Sequence, residues 1–192
     1  PILGKRYEII FVDDGSTDNS LQIIKLACDQ NASIKGISFS RNFGHQHAVM
    51  AGLRKSSGKA VAVIDGDGQD PPVVLKQLFN KWEEGYDVVY GIRKKRNEGL
   101  LKNICYLLFY RILRLLVSFD MPLDSGDFSV MSRNVVDFLV LQREQNPYIR
   151  GLRSWWGGKQ IGVSYERPNR LRGKTKYSLV KLFLLGISGV TS

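Results

Sequence analysis

The sequence contains little cysteine and little histidine, which argues against several kinds of site. Its 192 residues include two cysteines and two histidines. Cys28 and Cys105 lie too far apart to act as a metal-ligand pair, and their apolar, helix-like surroundings indicate buried free thiols, as expected in a reducing compartment. His45 and His47 are two positions apart at a predicted helix start and do not share a helix face. A histidine-based metal site is therefore not expected.

Neither of the two apolar runs in the second half has the character of a membrane-spanning helix. Residues 100–119 include two arginines within a narrow polar stripe, which favours a helix that lies in the membrane interface or is buried by other helices. Residues 182–190 form a run too short to cross a bilayer. We expect an amphipathic interfacial helix at residues 99–120 and the start of a membrane-proximal segment at residues 177–192.

Acidic residues are outnumbered by basic ones. Lys and Arg total 28 against 18 Asp and Glu, so the formal net charge is +10. Such a protein is attracted to an anionic partner, and nucleic acid, a membrane surface and a phosphorylated substrate are the three candidates. The length and the hydrophobic content of 43% predict one compact domain, which we place at residues 1–176.

Strand and helix patterns alternate along the first half of the chain. Apolar runs bounded by turn residues predict strands, and between them lie amphipathic segments that predict helices. The strands are expected at residues 7–12, 34–39, 60–64 and 86–91, and the helices at residues 19–29, 46–55 and 72–84. This order predicts an α/β fold with a mostly parallel sheet flanked by helices, and ligands bind such sheets at the carboxyl ends of the strands.

Two features of this pattern lead to specific expectations. The run AVAVI at residues 60–64 is wholly apolar, which is typical of a parallel strand covered on both faces. The following Asp70 is expected to cap the next helix, with Pro71 and Pro72 in its first turn, where a missing N–H costs nothing.

Two carboxylates follow the run AVAVI directly. Asp65 and Asp67 are one residue apart, so an extended chain would project both to the same side, and Gly66 lets the backbone approach a ligand. Paired carboxylates suit Mg²⁺ or Mn²⁺ whose remaining positions are filled by substrate phosphates. A calcium-binding EF-hand loop is excluded, because its sixth and twelfth positions would be Asp70 and Lys76. A simple polar turn before a helix is the alternative.

Asp65 and Asp67 lie within one of four motifs that occur along the chain. The motifs are VDDGSTD at residues 12–18, SRNFG at 40–44, IDGDGQDPP at 64–72 and GDF at 126–128, and RLRGKTK follows at 170–176. The chain resembles the family 2 glycosyltransferases along nearly its whole length, and in particular the polyprenyl-phosphate branch that includes dolichyl-phosphate mannose synthase. The resemblance implies a glycosyltransferase-A-type, Rossmann-like fold.

The resemblance implies a donor site for a UDP- or GDP-sugar. Asp14 matches an acid that contacts the nucleobase. Asp65, Asp67 and Gln69 match the site for the metal, Mg²⁺ or Mn²⁺, and for the diphosphate. Arg93 matches a basic residue near the donor phosphates, and a solvated basic run is the alternative.

The resemblance also implies an acceptor site. Asp127 matches the position proposed as catalytic base or as the acid that orients the acceptor, and a turn cap is the alternative. Arg170 and Lys176 match the block that closes over the diphosphate and the acceptor phosphate. The family's first strand, which forms half of its nucleoside pocket, would precede residue 1, so we expect this chain alone to bind the donor weakly.

The implied enzyme is a hexosyltransferase that inverts the anomeric centre in one metal-dependent displacement. Its acceptor would be undecaprenyl or dolichyl phosphate at the cytoplasmic face of the cell membrane, with an anionic membrane surface as a partner and a homo-oligomer as one possible state.

A family 2 enzyme that glycosylates a saccharide or protein hydroxyl in cell-envelope polysaccharide synthesis is the alternative. A nucleic-acid-binding module is disfavoured, because the basic clusters adjoin apolar helices. The intact acidic residues argue against a non-catalytic scaffold.

Overall fold

The computed structural model describes residues 6–93, 125–142, 144–145 and 147–166. Within these ranges, strands and helices alternate through most of the chain. The elements are β1 (Ile9–Asp13), α1 (Ser20–Gln30), β2 (Ile34–Ser38), α2 (His45–Lys55), β3 (Ala60–Val63), α3 (Pro72–Glu83), β4 (Val88–Arg93), β5 (Ser125–Ser132), α4 (Arg133–Leu141), α5 (Ile149–Trp155) and β6 (Gln160–Tyr165). The helix expected at 99–120, the segment 177–192, Arg170 and Lys176 lie outside the described residues.

The strands form a parallel pair and a four-stranded sheet. β1 pairs with β2 in parallel, and the larger sheet has the order β3-β5-β4-β6. β4 and β6 are parallel, whereas β5 runs antiparallel to both of its neighbours, β3 and β4. Three strands of the larger sheet thus share one direction. The predicted α/β class with a mostly parallel sheet is confirmed.

The expectation for the run AVAVI is wrong for the parallel pairing but confirmed for the covering of both faces. β3 has the antiparallel strand β5 beside it rather than a parallel neighbour, it lies at the end of the described sheet, and all four of its residues are only partly buried. The run is apolar because Val61 and Val63 pack on one core cluster and Ala60 and Ala62 on another. An apolar run shows that both faces contact other residues, but it does not identify the neighbouring strand.

The core lies on both faces of the larger sheet. Successive strand residues point to opposite faces, so Val88 and Val89 of β4 enter different clusters, as do Met131 and Val130 of β5. One cluster is closed by α2, α4 and α5, and the other by α3. The helices therefore enclose the strands from both sides and hold their ends at fixed positions.

Helix α3 begins as expected at its prolines but not at its cap. Pro72 is its first residue and Pro71 is the N-cap, and no side chain caps the helix. Asp70, the expected cap, is 2% exposed and accepts a hydrogen bond from the Tyr165 hydroxyl at 2.7 Å. The prediction of an Asp70 cap is therefore wrong, because the carboxylate turns inward to a tyrosine that is distant in sequence. None of the described helices has the length and apolarity needed to cross a bilayer.

Glu8 joins three elements through one carboxylate. It accepts hydrogen bonds from Lys35 Nζ on β2 at 2.6 Å, and from the Ser57 N–H and hydroxyl after α2 at 2.6 and 2.8 Å. The hydrogen bond from Lys35, followed by those from Ser57, lowers the pKa of Glu8 from 4.5 to about 2. Because the folded-state pKa is the lower one, this stabilisation is complete above pH 4.5 and is lost as the pH falls towards 2.

We predict that Glu8→Gln lowers the free energy of unfolding by about 1 kcal/mol at neutral pH, because the Lys35 and Ser57 donors lose a charged acceptor. The difference from wild type should shrink as the pH is lowered through the window given above. Urea unfolding at several pH values measures it. Glu84→Gln is the matched control, because the ion pair of Glu84 with Lys81 on α3 is exposed and its loss should change stability little. Equal effects of the two substitutions would show that the contacts of Glu8 do not stabilise the fold.

Candidate active site

The strand ends bring the acidic motifs to one edge of the larger sheet. Asp65 follows the carboxyl end of β3, and Arg93 is the last residue of β4. Because β5 runs antiparallel to β4, its first residues lie beside that same end, where Ile92 pairs with Ser125. Asp127 is the third residue of β5 and therefore lies at the same edge as the acid that follows β3.

Asp127 is a buried carboxylate that is held by three side chains. Its side chain is 3% exposed. Oδ1 accepts from Arg150 Nε at 2.9 Å, and Oδ2 accepts from Arg150 Nη2 at 3.0 Å and from Gln46 Nε2 at 3.4 Å. His45 Nε2 lies 2.8 Å from Oδ2. Burial alone would raise the pKa of Asp127, but the hydrogen bonds from His45 and Arg150 outweigh it and hold the pKa well below its ordinary value.

His45 links this carboxylate to the acid after β3. It is the first residue of α2, and its Nε2 is also 3.7 Å from Asp65 Oδ1. The hydrogen bond to Asp127 raises the pKa of His45, and burial opposes it. The described side chains therefore form a series in the order Asp65, His45, Asp127 and Arg150, in which each contacts the next. We call this the acid–base series.

Asp65 has the opposite electrostatic surroundings to Asp127. Burial raises its pKa, His45 lowers it, and the nearby Asp70, Asp127 and Asp67 raise it further. The chain does not stay extended after β3 but turns at Gly66 and Asp67, where Asp67 Oδ1 accepts a hydrogen bond from the Gln69 N–H at 3.1 Å. The local excess of negative charge around Asp65 is one that a divalent cation would relieve.

The donor set at this turn fits Mg²⁺ or Mn²⁺. In the described part of the chain, no three His, Cys, Asp or Glu side chains converge as a complete metal cage. Two carboxylates, Asp65 and Asp67, are what such an ion requires when substrate phosphates supply further ligands. The predicted ligands thus have the right chemistry for the ion, and their assignment to it stays a prediction. Gln69, the third predicted ligand, lies in the same turn.

The loop after β3 is held by a tyrosine, which in turn contacts an arginine. Asp70 accepts from Tyr165 and, at 3.4 Å, from the Asp65 N–H. Burial and the bond to Asp70 raise the pKa of Tyr165 to about 12, and a hydrogen bond with Arg93 opposes this rise. Arg93, predicted to lie near the donor phosphates, thus contacts the tyrosine that holds Asp70 of the DGDGQD turn.

Two arginines also border Gly126, the residue before Asp127. Arg153 is 1% exposed and directs Nη1 and Nη2 to the Gly126 carbonyl at 3.5 and 3.4 Å. A Cβ on Gly126 would lie 2.9 Å from Arg93 Nη2, so the missing side chain leaves room for that guanidinium. With Arg150 on Asp127, three guanidinium groups surround residues 126–127.

Asp14, the predicted nucleobase contact, lies at a different place. It follows β1, and its carboxylate accepts from the N–H groups of Phe43 and Gly44 at 2.7 and 3.0 Å, at the start of α2. Asn42 Nδ2 donates to the Asp14 carbonyl at 3.2 Å. The VDDGS and SRNFG motifs are therefore two halves of one braced loop pair.

Three of the residues that form this site were missed by the sequence reasoning. His45 was considered only as a metal ligand, and it was not expected to be one because it does not share a helix face with His47, although it directly follows a motif at the end of a strand. Arg150 and Tyr165 belong to no motif. The spacing of Arg150 and Arg153 on one short helix is the signal that could have drawn attention to the first of them.

Solved structures with similar folds identify the architecture. Glucosyl-3-phosphoglycerate synthase from Mycobacterium tuberculosis, in complex with phosphoglyceric acid, matches with a TM-score of 0.58 at 20% identity, over 95% of this chain and 67% of that one. The mannosyltransferase PcManGT from Pyrobaculum calidifontis, in complex with GDP-mannose and Mn²⁺, matches with a TM-score of 0.58 at 17% identity, over 86% of this chain and 49% of that one. The fold is that of glycosyltransferases, as the resemblance implied.

The sequence comparison gives the family. The profile of glycosyl transferase family 2 matches residues 3–139, and the chain belongs to this family. It is 45% identical over 98% of its length to the uncharacterized glycosyltransferase YkcC of Bacillus subtilis, and 38% identical over 96% to the prophage bactoprenol glucosyl transferase homolog of Escherichia coli. The chain covers 58% and 61% of these two relatives. The predicted family is confirmed.

Gly15 provides a test of the braced loop pair. Its φ is +67°, and a Cβ there would lie 2.5 Å from the carbonyl carbon of Arg41. We predict that Gly15→Ala lowers the free energy of unfolding by about 3 kcal/mol, from a left-handed backbone and a clash with main-chain atoms.

The matched control for this prediction is Gly85→Ala. Gly85 has a φ of +95° but nothing within 4 Å of the added Cβ, so only the backbone penalty of about 1 kcal/mol should appear. Chemical unfolding of both variants measures the difference. If the two lose the same stability, the VDDGS and SRNFG motifs are not in contact.

Proposed function

We propose that this chain carries the catalytic site of an inverting, metal-dependent enzyme that transfers a hexose from a UDP- or GDP-sugar to a polyprenyl phosphate at the cytoplasmic face of the membrane. The observation that carries the proposal is the state of Asp127, a buried carboxylate fully paired with Arg150 and His45. Relatives named bactoprenol glucosyl transferase support the same acceptor class.

The donor side of the proposal rests on the acidic turn. Asp65 and Asp67 would hold Mg²⁺ or Mn²⁺, and the ion would supply positive charge to the departing diphosphate. Related folds were solved with Mn²⁺ and GDP-mannose or UDP-glucose. Asp14 would act on the nucleoside by fixing the SRNFG loop, since its carboxylate is bonded to the backbone there.

The proposed phosphate acceptor follows from the low basicity of Asp127. A carboxylate with a strongly lowered pKa is a poor proton acceptor, so it is badly suited to deprotonate a sugar or protein hydroxyl. A phosphate monoester is already largely dianionic near neutral pH, with a second pKa of about 6, and needs no base. The paired state of Asp127 therefore favours a phosphate acceptor over a hydroxyl.

The reaction is then a single displacement. An oxygen of the acceptor phosphate forms a bond to the anomeric carbon while the bond from that carbon to the donor diphosphate breaks. The electron pair leaves with the nucleoside diphosphate, the configuration inverts, and no proton has to be moved. The residues of this chain position the two anionic groups and stabilise their charge.

A transfer assay tests the proposed acceptor. Full-length protein in detergent would be given radiolabelled UDP-glucose or GDP-mannose with undecaprenyl phosphate, with undecaprenol, or with oligosaccharides. We expect product on undecaprenyl phosphate and none on undecaprenol, because the two differ only in the phosphate. Transfer to oligosaccharides without transfer to the lipid phosphate would favour the hydroxyl-glycosylating alternative.

We predict that Asp65→Ala and Asp67→Ala each reduce turnover by at least about a thousandfold at saturating Mn²⁺, because the ion loses one of its two carboxylate ligands. The same assay provides the measurement, with and without a chelator for the wild type. Asp29→Ala, an exposed acid at the end of α1, is the matched control and should retain full activity. Near-normal turnover of Asp67→Ala would remove that residue from the metal site.

A further inference from the structure

The surface over Asp127 is formed by the side chains of Arg150 and His45 and not by the carboxylate itself. The Asp127 side chain is 3% exposed, whereas Arg150 and His45, which both contact it, are 36% and 38% exposed. A ligand that approaches this point meets the guanidinium and the imidazole first. Asp127 lies behind them and fixes their positions.

From this arrangement we infer that Arg150 binds the phosphate of the acceptor and that Asp127 is a positioning residue that orients Arg150 rather than a group that touches substrate. This inference rests on the proposed function and adds to it the residue that recognises the acceptor. Arg150 lies on α5, outside every sequence motif assigned to the site.

The hydrogen-bonding capacity of Arg150 supports the inference. A guanidinium carries five N–H groups, and Asp127 accepts from two of its nitrogens. As far as the described residues go, the remaining N–H groups are available to a ligand. Two parallel N–H groups match two phosphate oxygens, and the grip of Asp127 restricts the side chain to one orientation before substrate arrives.

The charge balance on the Asp127 face of β5 also favours an anion. Arg150 contacts Asp127 and Arg153 contacts the Gly126 carbonyl, whereas Arg93 lies against Gly126 on the opposite face of the strand. Asp127 neutralises one of the two positive charges of Arg150 and Arg153. Arg153 Nε has no hydrogen-bond partner among the described residues, although it is buried. Positive charge in excess of the local carboxylate is favourable for a doubly charged phosphate.

The order of the acid–base series separates this anion from the donor diphosphate. The diphosphate is assigned to Asp65 and Asp67 at one end, and Arg150 stands at the other, with His45 and Asp127 between them. In a single displacement, the attacking and leaving groups occupy opposite sides of the anomeric carbon. The acceptor therefore needs a cation of its own, and Arg150 is placed to supply it.

Steady-state kinetics of the full-length protein would test the inference, with undecaprenyl phosphate as acceptor and with whichever of UDP-glucose and GDP-mannose the wild type uses. We expect Arg150→Gln to raise the KM for undecaprenyl phosphate by about 10- to 100-fold, the range for hydrogen bonds to a charged group. The KM for the donor should stay within about twofold of wild type. Arg150→Lys keeps the positive charge but loses the two parallel N–H groups of the guanidinium. Its KM for undecaprenyl phosphate should therefore lie between those of the wild type and Arg150→Gln. Arg54→Gln, an exposed arginine on α2, is the control and should behave as wild type.

A double variant distinguishes binding from simple charge compensation. Arg150→Gln leaves the buried Asp127 carboxylate with fewer partners, which by itself lowers stability. In Arg150→Gln/Asp127→Asn that charge is gone, so thermal stability should recover while the KM for undecaprenyl phosphate stays high. Recovery of the acceptor KM together with stability would overturn the inference, because Arg150 would then serve only to neutralise Asp127.

The remaining outcomes are equally decisive. If Arg150→Gln raises the donor KM and not the acceptor KM, Arg150 belongs to the diphosphate and the inference is wrong. If the wild type glycosylates undecaprenyl phosphate and the Arg150 variants match it, the inference fails while the proposed function stands. If the wild type transfers no sugar to undecaprenyl phosphate, both fail.

Discussion

The site depends on one buried ionic contact, between the Asp127 carboxylate and the Arg150 guanidinium. It joins the start of β5 to α5, and the same carboxylate joins both to His45 at the start of α2. A buried carboxylate is costly unless it is paired and hydrogen-bonded, so the three elements are held together by the need to satisfy it. The free energy of that contact fixes the positions of Arg150 and His45, the two side chains that face a ligand.

The antiparallel strand β5 makes this contact possible. In a wholly parallel sheet the chain would return to the opposite edge before each new strand. Only residues at the carboxyl ends of the strands would then contribute to the binding site. Because β5 runs against β3 and β4, its first residues lie at their carboxyl ends, and Asp127 meets the loop that contains Asp65. The reversal thus adds a residue from the amino end of one strand to an edge formed by the carboxyl ends of others.

The sequence predicted the alternating first half of the fold well, because periods of two and 3.6 and the turn residues are local signals. It placed Asp14 and Asp65 after their strands, and the structure agrees. It did not predict that β5 separates β3 from β4, since an apolar run such as residues 60–64 does not specify its neighbour. A related reason explains why the sequence did not predict the roles of His45, Arg150 and Tyr165. Their partners lie 82, 23 and 95 residues away, and pairing over such separations produces no periodic pattern in the sequence.

The two carboxylates of the acid–base series have opposite electrostatic surroundings, and this difference suits two different substrates. Burial raises the pKa of Asp65, and three other acids lie near it, so carboxylates predominate at its end of the series. Asp127 is paired with His45 and Arg150, and their hydrogen bonds hold its pKa below the ordinary value. In the proposed reaction, a metal-bound diphosphate would bring a cation to the first end, and an acceptor phosphate would bring an anion to the second. When titratable groups are pushed in opposite directions within one site, each is suited to a different role, and in the proposed reaction neither role is the removal of a proton. The sugar carbon would then pass between a leaving group neutralised by metal and an attacking group held by arginine, and both partners improve the charge balance of the site as they bind.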